Sequence, residues 1–158
     1  MTFGVLSFGV HIPRYRLPRT VIVKAWGAAA GGGERAVANF DEDAITMAVS
    51  AAEAALEGVA GGPPDALAFV SNTAPYHEKQ GSTLIATVCG LPRTATTLDV
   101  TGSPRAGTAA LKAAYDALRA GSAQRYLVTA AEVRTGEPGS DLEQLVGDGA
   151  AAVLLGTG

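Results

Sequence analysis

The sequence predicts a single α/β domain built on a five-stranded, mostly parallel sheet with helices on both faces. Apolar, β-rich runs alternate along the chain with segments whose apolar residues recur at helical spacing. Hydrophobic residues make up 47% of the chain and charged residues 17%, so the chain can form a packed core. Abundant alanine and glycine allow helices to pack closely on such a sheet.

The first predicted strand covers residues 3–10, a β-rich apolar run. Prolines interrupt the chain after it, and Thr20 is placed to cap a short helix that ends near Gly27. The following sequence AAAGGGER has the composition of a flexible loop, with its tip at residues 31–33.

An amphipathic helix is predicted after Asp41, because the apolar residues that follow fall on one stripe. Asp41, Glu42 and Asp43 occupy its cap and first turn, where the helix dipole favours negative charge. Gly58 is a natural end for this helix. The stripe consists of Ile45, Ala48, Val49, Ala52, Ala55 and Leu56.

The second half of the chain continues the alternation, with a buried strand at residues 66–71, a short helix at 82–90 and a strand at 96–100. A long helix is then predicted from Pro104 to Ala120. Later elements are strands at 125–131 and 150–156, separated by a helical turn at 141–146.

The start of the long helix is the best defined, since Ser103 suits the N-cap and Pro104 the first helical position. Its predicted core stripe consists of Leu111, Ala114, Tyr115 and Leu118.

Composition excludes several classes of partner. The net charge is −3 and the basic residues are scattered, so neither a nucleic-acid nor a membrane-surface footprint is present. Cys89 is the single cysteine, which rules out an internal disulfide and fits a reducing cytoplasm. The N-terminus lacks the pattern of a signal peptide, and no apolar run reaches membrane-spanning length. We therefore expect a cytoplasmic protein with no metal site.

Six segments occur in an order that is typical of one family and together cover nearly the whole chain. They are GVHIPRYRLPR, KAWG, DEDAITMAVSAAEAAL, APYHEKQGST, AGTAAL and GDGAAAVLLG. The set resembles hydroxymethylglutaryl-CoA synthase of the archaeal and bacterial type, in the thiolase superfamily. The resemblance implies that residues 1–158 form a single domain, the N-terminal half of the thiolase fold.

Family members have two such halves, and the second supplies a catalytic histidine, part of the oxyanion hole and much of the coenzyme A site. The segment GDGAAAVLLG resembles the last strand of the first half, so the second half is expected to be absent. The resemblance thus predicts no cofactor bound within this chain, although a coenzyme A thioester fits the full assembly.

The family's nucleophile is a cysteine at a helix N-terminus, in a pattern similar to Ala-Cys-Lys-Ala-Gly-Thr, where the dipole activates the thiol. The matching residues 103–108 read Ser-Pro-Arg-Ala-Gly-Thr and place Pro104 at the cysteine position. Proline offers neither a nucleophile nor an N–H for an oxyanion. Ser103 is a weak substitute, because a serine before proline is typical of a helix cap. Cys89 lies late in a helix and is interpreted as a buried structural residue.

The family's general base is a glutamate, in a pattern similar to Ser-Glu-Ser before Pro-Tyr. Residues 71–76 read Ser-Asn-Thr-Ala-Pro-Tyr and place Asn72 at that position. His77 is a weak candidate for proton transfer, and with Glu78 it is better explained by a solvated loop. His11, Asp99 and Asp148 are interpreted as structural.

Two functional hypotheses follow from the resemblance. In the first, the chain is a non-catalytic thiolase-fold subunit or domain that completes an acyl-CoA-handling assembly. The family resemblance places homo- or hetero-oligomeric pairing at the edge strand Thr96–Val100. In the second, the chain is part of an active enzyme, an acyltransferase or a C–C bond-forming or retro-aldol enzyme, whose catalytic residues come from a partner chain or a second half. A further possibility is that the sequence is an excised part of a longer protein.

Overall fold

A computed structural model describes residues 2–27 and 32–157; residues 28–31 of the predicted loop 28–35 lie outside them, and Glu34 and Arg35 belong to a strand. The elements are β1 (Phe3–His11), β2 (Tyr15–Pro18), α1 (Arg19–Trp26), β3 (Glu34–Val37), α2 (Ala44–Leu56), β4 (Ala66–Val70), α3 (Gly81–Val88), β5 (Thr96–Val100), α4 (Ala106–Ala120), β6 (Arg125–Glu132), α5 (Asp141–Leu145) and β7 (Gly149–Thr157). Within the described residues, no helix is both long enough and apolar enough to cross a membrane.

The main sheet has the strand order β1-β7-β6-β4-β5. Strand β4 pairs in parallel with β5 and β6, whereas β7 runs antiparallel to both β6 and β1. Four strands therefore point the same way and only β7 is reversed. The prediction of a five-stranded, mostly parallel sheet is confirmed, and β5 lies at one edge of it as expected.

One face of the sheet is covered by α2 and α3. Alanines on α2 let its backbone approach β1 closely, and a Cβ at Gly9 would overlap backbone atoms of Ala51 and Ala55. Ser7 on the same side of β1 donates a hydrogen bond to the carbonyl of Ala55 (2.5 Å). The largest buried side chains of this layer are Met47, Leu67, Phe69, Ile85, Leu127 and Leu154.

The opposite face is covered by α4, which packs mainly on β4 and β6. Its buried stripe consists of Ala106, Ala110, Ala114 and Leu118. The predicted stripe is wrong at Leu111 and Tyr115, which are 39% and 46% exposed. Small alanines face the sheet because they allow close packing, and the larger side chains lie at the flank.

Two predicted helix starts also differ from the structure. Pro18, not Thr20, occupies the N-cap of α1, and no side chain caps it. Helix α4 begins at Ala106, with Arg105 as its N-cap. Ser103 and Pro104 form a turn before the helix, closed by a hydrogen bond from the Ala106 N–H to the Ser103 carbonyl (3.0 Å).

Helix α2 is capped by Asp43, whose carboxylate accepts from the Thr46 N–H (2.8 Å) while the Thr46 hydroxyl accepts from the Asp43 N–H (2.8 Å). Asp41 and Glu42 precede the helix. The capping interpretation is therefore confirmed for Asp43 and wrong for the other two as first-turn residues.

A small antiparallel sheet of β2 and β3 lies beside the main sheet and was not predicted. Its strands are only four residues long and one ends at Pro18, so neither shows strand periodicity alone. Their pairing is a contact between segments distant in sequence.

Candidate functional site

A cavity of about 470 Å³ lies where β4 and β6 end and α4 begins; we call it the helix-start cavity. Asn72, Ser103, Glu132 and Arg134 supply its polar lining, and Pro104 lines it beside small residues of α4, β6 and β7. Asn72 and Pro104, the two positions that the motif resemblance singled out, therefore lie in one cavity. This position, at the carboxyl ends of parallel strands, is where α/β folds generally bind ligands.

The side chain of Asn72 joins three elements. Its Oδ1 accepts from the Gly102 N–H (2.9 Å) in the turn before α4. Its Nδ2 donates to the Ser103 carbonyl (3.3 Å) and to Oε1 of Glu132 (3.1 Å). The Gly102 N–H must face an oxygen of Asn72, and the Ser103 and Glu132 oxygens must face its nitrogen, so these partners fix the amide orientation. The position therefore requires a side chain that both accepts and donates hydrogen bonds.

Glu132, at the end of β6, is hydrogen-bonded through both carboxylate oxygens. Oε1 also accepts from the backbone N–H of Asn72 (3.0 Å), and Oε2 accepts from the hydroxyl of Thr73 (2.9 Å). Oε2 lies 3.3 Å from Nε of Arg134. A carboxylate engaged in this way braces the ends of β4 and β6.

The helix start itself carries no activated nucleophile. Ser103 Oγ accepts from the backbone N–H of Arg105 (3.1 Å), as expected for a serine that organises a turn. Pro104 has no hydroxyl, thiol or N–H to offer. The interpretation of Ser103 as a structural residue thus has a geometric basis.

His77 lies in a different place. It is exposed and lines a second cavity of about 540 Å³ with Tyr76, Glu78 and Asp99, on the side of β5. Asn72 lines both cavities, but Ser103 and Pro104 line only the helix-start cavity. The structure therefore does not bring His77 together with the helix start.

A buried ion pair, missed by sequence reasoning, lies behind the helix-start cavity. Arg35 of β3 and Asp148 are 3.5 Å apart, with side chains 7% and 3% exposed. Asp148 accepts from the backbone N–H groups of Ala38 and Arg134 (both 2.8 Å). Asp148 thus organises the turn before β7, as the sequence analysis expected.

The polar residues of the helix-start cavity that the sequence analysis missed are Glu132 and Arg134. They come just after the predicted buried strand 125–131, at the end of a parallel strand where polar residues gather at ligand sites, and that placement could have identified them. Among residues 2–27 and 32–157, no cluster of three acidic, histidine or cysteine side chains is arranged to hold a metal ion.

The remaining titratable residues have structural surroundings. Burial, with a smaller contribution from Glu53, raises the pKa of the Cys89 thiol to about 11. His11 pairs with Glu42 (Nε2 to Oε1, 2.7 Å). Asp99 accepts from the first two amides of α3, those of Gly81 and Ser82 (2.7 and 2.8 Å).

Known proteins resemble this chain in sequence. Residues 98–158 match the family 3-oxoacyl-[acyl-carrier-protein (ACP)] synthase III. The chain is 35% identical over 156 residues to the hydroxymethylglutaryl-CoA synthase of Pyrococcus horikoshii, covering 97% of this chain and 45% of that protein. It is 33% identical over 166 residues to the synthase of Methanosarcina barkeri, covering 99% and 47%. The chain therefore spans about half the length of the curated relatives it matches.

Solved structures agree with the sequence matches. The 3-oxoacyl-(acyl carrier protein) synthase III of Pseudomonas aeruginosa superposes with a TM-score of 0.90 at 23% identity, over 100% of this chain and 52% of that one. The priming β-ketosynthase of the R1128 polyketide pathway gives 0.89 at 27% identity, over 99% and 50%. An HMG-CoA synthase complexed with CoA gives 0.89 at 20% identity, over 99% and 42%. The chain has the thiolase-type fold of these synthases, and its sequence is similar, over nearly its whole length, to hydroxymethylglutaryl-CoA synthases.

Proposed function

We propose that the chain is a non-catalytic thiolase-fold domain that completes or braces an assembly handling acyl-CoA in the cytoplasm. The proposal starts from the motif resemblance, in which Pro104 and Asn72 stand where the family is expected to have its nucleophile and base. A thiolase-type acyl transfer needs an activated nucleophile and a proton acceptor within reach of one another. In this domain neither position carries the required group.

The engagement of Asn72 is the observation that carries the proposal. Its amide bonds to Gly102, Ser103 and Glu132 at once, so the position serves to hold three elements together. A glutamate that acts as the family's base would donate no hydrogen bond here and would need one carboxylate oxygen free to accept a proton. The network is thus suited to a braced scaffold.

Uncovered apolar surface supports the assembly part of the proposal. Ser7 and Gly9 of β1 face α2, so Phe8 and Val10 point to the α4 side, where they are 72% and 60% exposed. Exposed Leu111 of α4 lies on the same side of the sheet. We take these exposed apolar side chains on one side of the sheet as part of a contact face. The proposed partner is a second thiolase-type half, either on another chain or on a longer form of this one.

A second contact is proposed at the open edge of β5. An edge strand presents unpaired backbone groups, and pairing Thr96–Val100 with an equivalent strand would satisfy them. The proposed product is a homo- or heterodimer with a continuous sheet.

The alternative function is that of a contributing domain in an active acyltransferase or C–C bond-forming or retro-aldol enzyme. One observation favours it: Glu132 keeps a carboxylate in the helix-start cavity, 3.1 Å from the amide of Asn72. In this case a partner chain or a second half would supply the nucleophile.

Intact-mass analysis after incubation with acetyl-CoA separates the two functions, with affinity purification from the native host identifying any partner. The scaffold proposal expects an unmodified mass for this chain and a stable thiolase-type partner. A covalent acyl group on this chain would overturn it. Strictly monomeric behaviour without a partner would overturn the assembly part.

A further inference from the structure

We propose that the helix-start cavity binds a small carboxylate-bearing molecule through the guanidinium group of Arg134. This inference goes beyond the scaffold function, because it concerns binding and holds whether or not the domain takes part in chemistry.

Arg134 is held in place from behind by the buried ion pair. Its backbone N–H donates to Oδ1 of Asp148 (2.8 Å), and its carbonyl accepts from Nη2 of Arg35 (2.8 Å). Because that pair is almost completely buried, the backbone of Arg134 is fixed at the cavity wall before any ligand arrives. A preorganised group binds with a smaller loss of conformational entropy.

The charge of Arg134 is only partly used within the protein. Its Nε lies 3.3 Å from Oε2 of Glu132, but that oxygen also accepts from Thr73, and the other oxygen is taken by Asn72. Nη1 and Nη2 of Arg134 make no hydrogen bond to any residue in the described ranges, and the side chain is partly exposed. A guanidinium with both terminal nitrogens open matches a carboxylate bidentately.

The rest of the wall sets the size and character of the ligand. Gly107, Ala130, Ala150 and Ala151 line the cavity and leave about 470 Å³ open, with apolar surface beside the guanidinium. A volume of this order suits a small molecule. An aliphatic carboxylate would place its chain along the alanines and its charge on Arg134.

Titration of the purified protein with malonate, followed by amide chemical-shift changes in NMR spectra, tests the proposal, with the uncharged malonamide as the matched ligand. We expect saturable binding of malonate that shifts the amides around Arg134 and Ala150, and none by malonamide. Arg134→Gln should weaken binding at least about tenfold, since a hydrogen bond to a charged group contributes that much. Arg93→Gln, at an exposed arginine away from the cavity, should bind as the wild type does.

Equal binding of malonate and malonamide, no saturable binding, or unchanged affinity in Arg134→Gln would each overturn the proposal. If Arg134→Gln does not fold, Arg134→Lys is tested in its place. Lysine keeps the positive charge but cannot bind a carboxylate through two planar N–H groups, so we expect weaker but measurable malonate binding. Wild-type affinity in Arg134→Lys would contradict bidentate recognition. These measurements involve neither acylation nor a partner protein. The binding proposal can therefore fail while the scaffold proposal holds, and the scaffold proposal can fail while malonate binding is observed.

Discussion

Glu132 accepts hydrogen bonds from both nitrogens of Asn72, the backbone N at 3.0 Å and the side-chain Nδ2 at 3.1 Å. The Glu132 carboxylate thereby links the C-terminal end of β6 to the segment that follows β4. The same asparagine accepts from Gly102 through Oδ1, which ties in the turn before α4. A carboxylate in place of Asn72 would donate nothing and would stand against Glu132.

Asn72→Asp should therefore destabilise the domain, although it changes the side-chain volume very little. We expect a loss of about 2–3 kcal/mol in the free energy of unfolding, because two donated hydrogen bonds are lost and two carboxylates meet in a partly buried site. Urea unfolding measures it. Asn39→Asp is the control, since the side chain of Asn39 makes an exposed hydrogen bond to Asp41 and none to another residue of the described ranges. Equal losses in the two variants would contradict the bracing role of Asn72.

Pro104→Cys tests how much chemistry the fold retains. We expect a thiol that takes up an acetyl group slowly from acetyl-CoA, detectable by intact mass, and no C–C bond formation, because Asn72 cannot accept a proton. Ser103→Cys is the comparison, one residue away in the same turn. Repeated turnover to a condensed product in Pro104→Cys would show that another group in the cavity acts as the base.

Cys89 should resist alkylation in the folded protein. Its pKa is raised to about 11, chiefly by burial, so only a very small thiolate fraction exists near neutral pH. We expect labelling by iodoacetamide at pH 7.5 to be far slower than for free cysteine, and to become fast in urea. Because the pKa of Cys89 is higher in the folded than in the unfolded protein, its contribution to stability is fully present below the unfolded pKa. That contribution is lost as the pH rises through the folded pKa of about 11. Equal labelling rates with and without urea would contradict this placement.

The large-scale fold could be predicted because its signals are local. Short apolar or β-rich runs identified all five strands of the main sheet, and the alanine-rich stripe identified α2. The pairing of β2 with β3 could not be found in this way, because it joins segments far apart in sequence. Likewise, Leu111 and Tyr115 fit a helical stripe, but only the small residues of the facing sheet determine that the alanines turn inward.

The site was predictable in its positions but not in its contacts. The motif match singled out Pro104 and Asn72, and the structure places both in one cavity. Glu132 and Arg134 lie in none of the six family-like segments, and their contacts depend on the packing of different strands and loops. The bracing contacts of Asn72 are visible only when those partners are known.

The pair of Glu42 and His11 should contribute to acid stability. Hydrogen bonds from the Asn39 N–H and from His11 hold the pKa of the Glu42 carboxyl below its usual 4.5. A depressed folded pKa gives stability that is present above the unfolded pKa and is lost as the pH falls through the folded value. We expect the stability of Glu42→Gln to fall less steeply than that of the wild type as the pH drops below about 5, measured by thermal unfolding across pH. Glu137→Gln, at an exposed position, should leave that limb unchanged, and an identical effect in both variants would contradict the assignment.

Gly9→Ala tests the close contact between β1 and α2. A Cβ at this position would overlap the carbonyl oxygen of Ala51 and the amide nitrogen of Ala55, and helix backbone cannot move aside as a flexible side chain can. We expect a loss of about 2–4 kcal/mol in the free energy of unfolding, measured by urea denaturation. Gly4→Ala on the same strand is the matched control, because its Cβ would meet no atom within 4 Å. That variant should be neutral or slightly stabilising, since alanine restricts the unfolded chain more than glycine does. If both variants unfold at the same urea concentration, the backbones of α2 and β1 are not in close contact at Gly9.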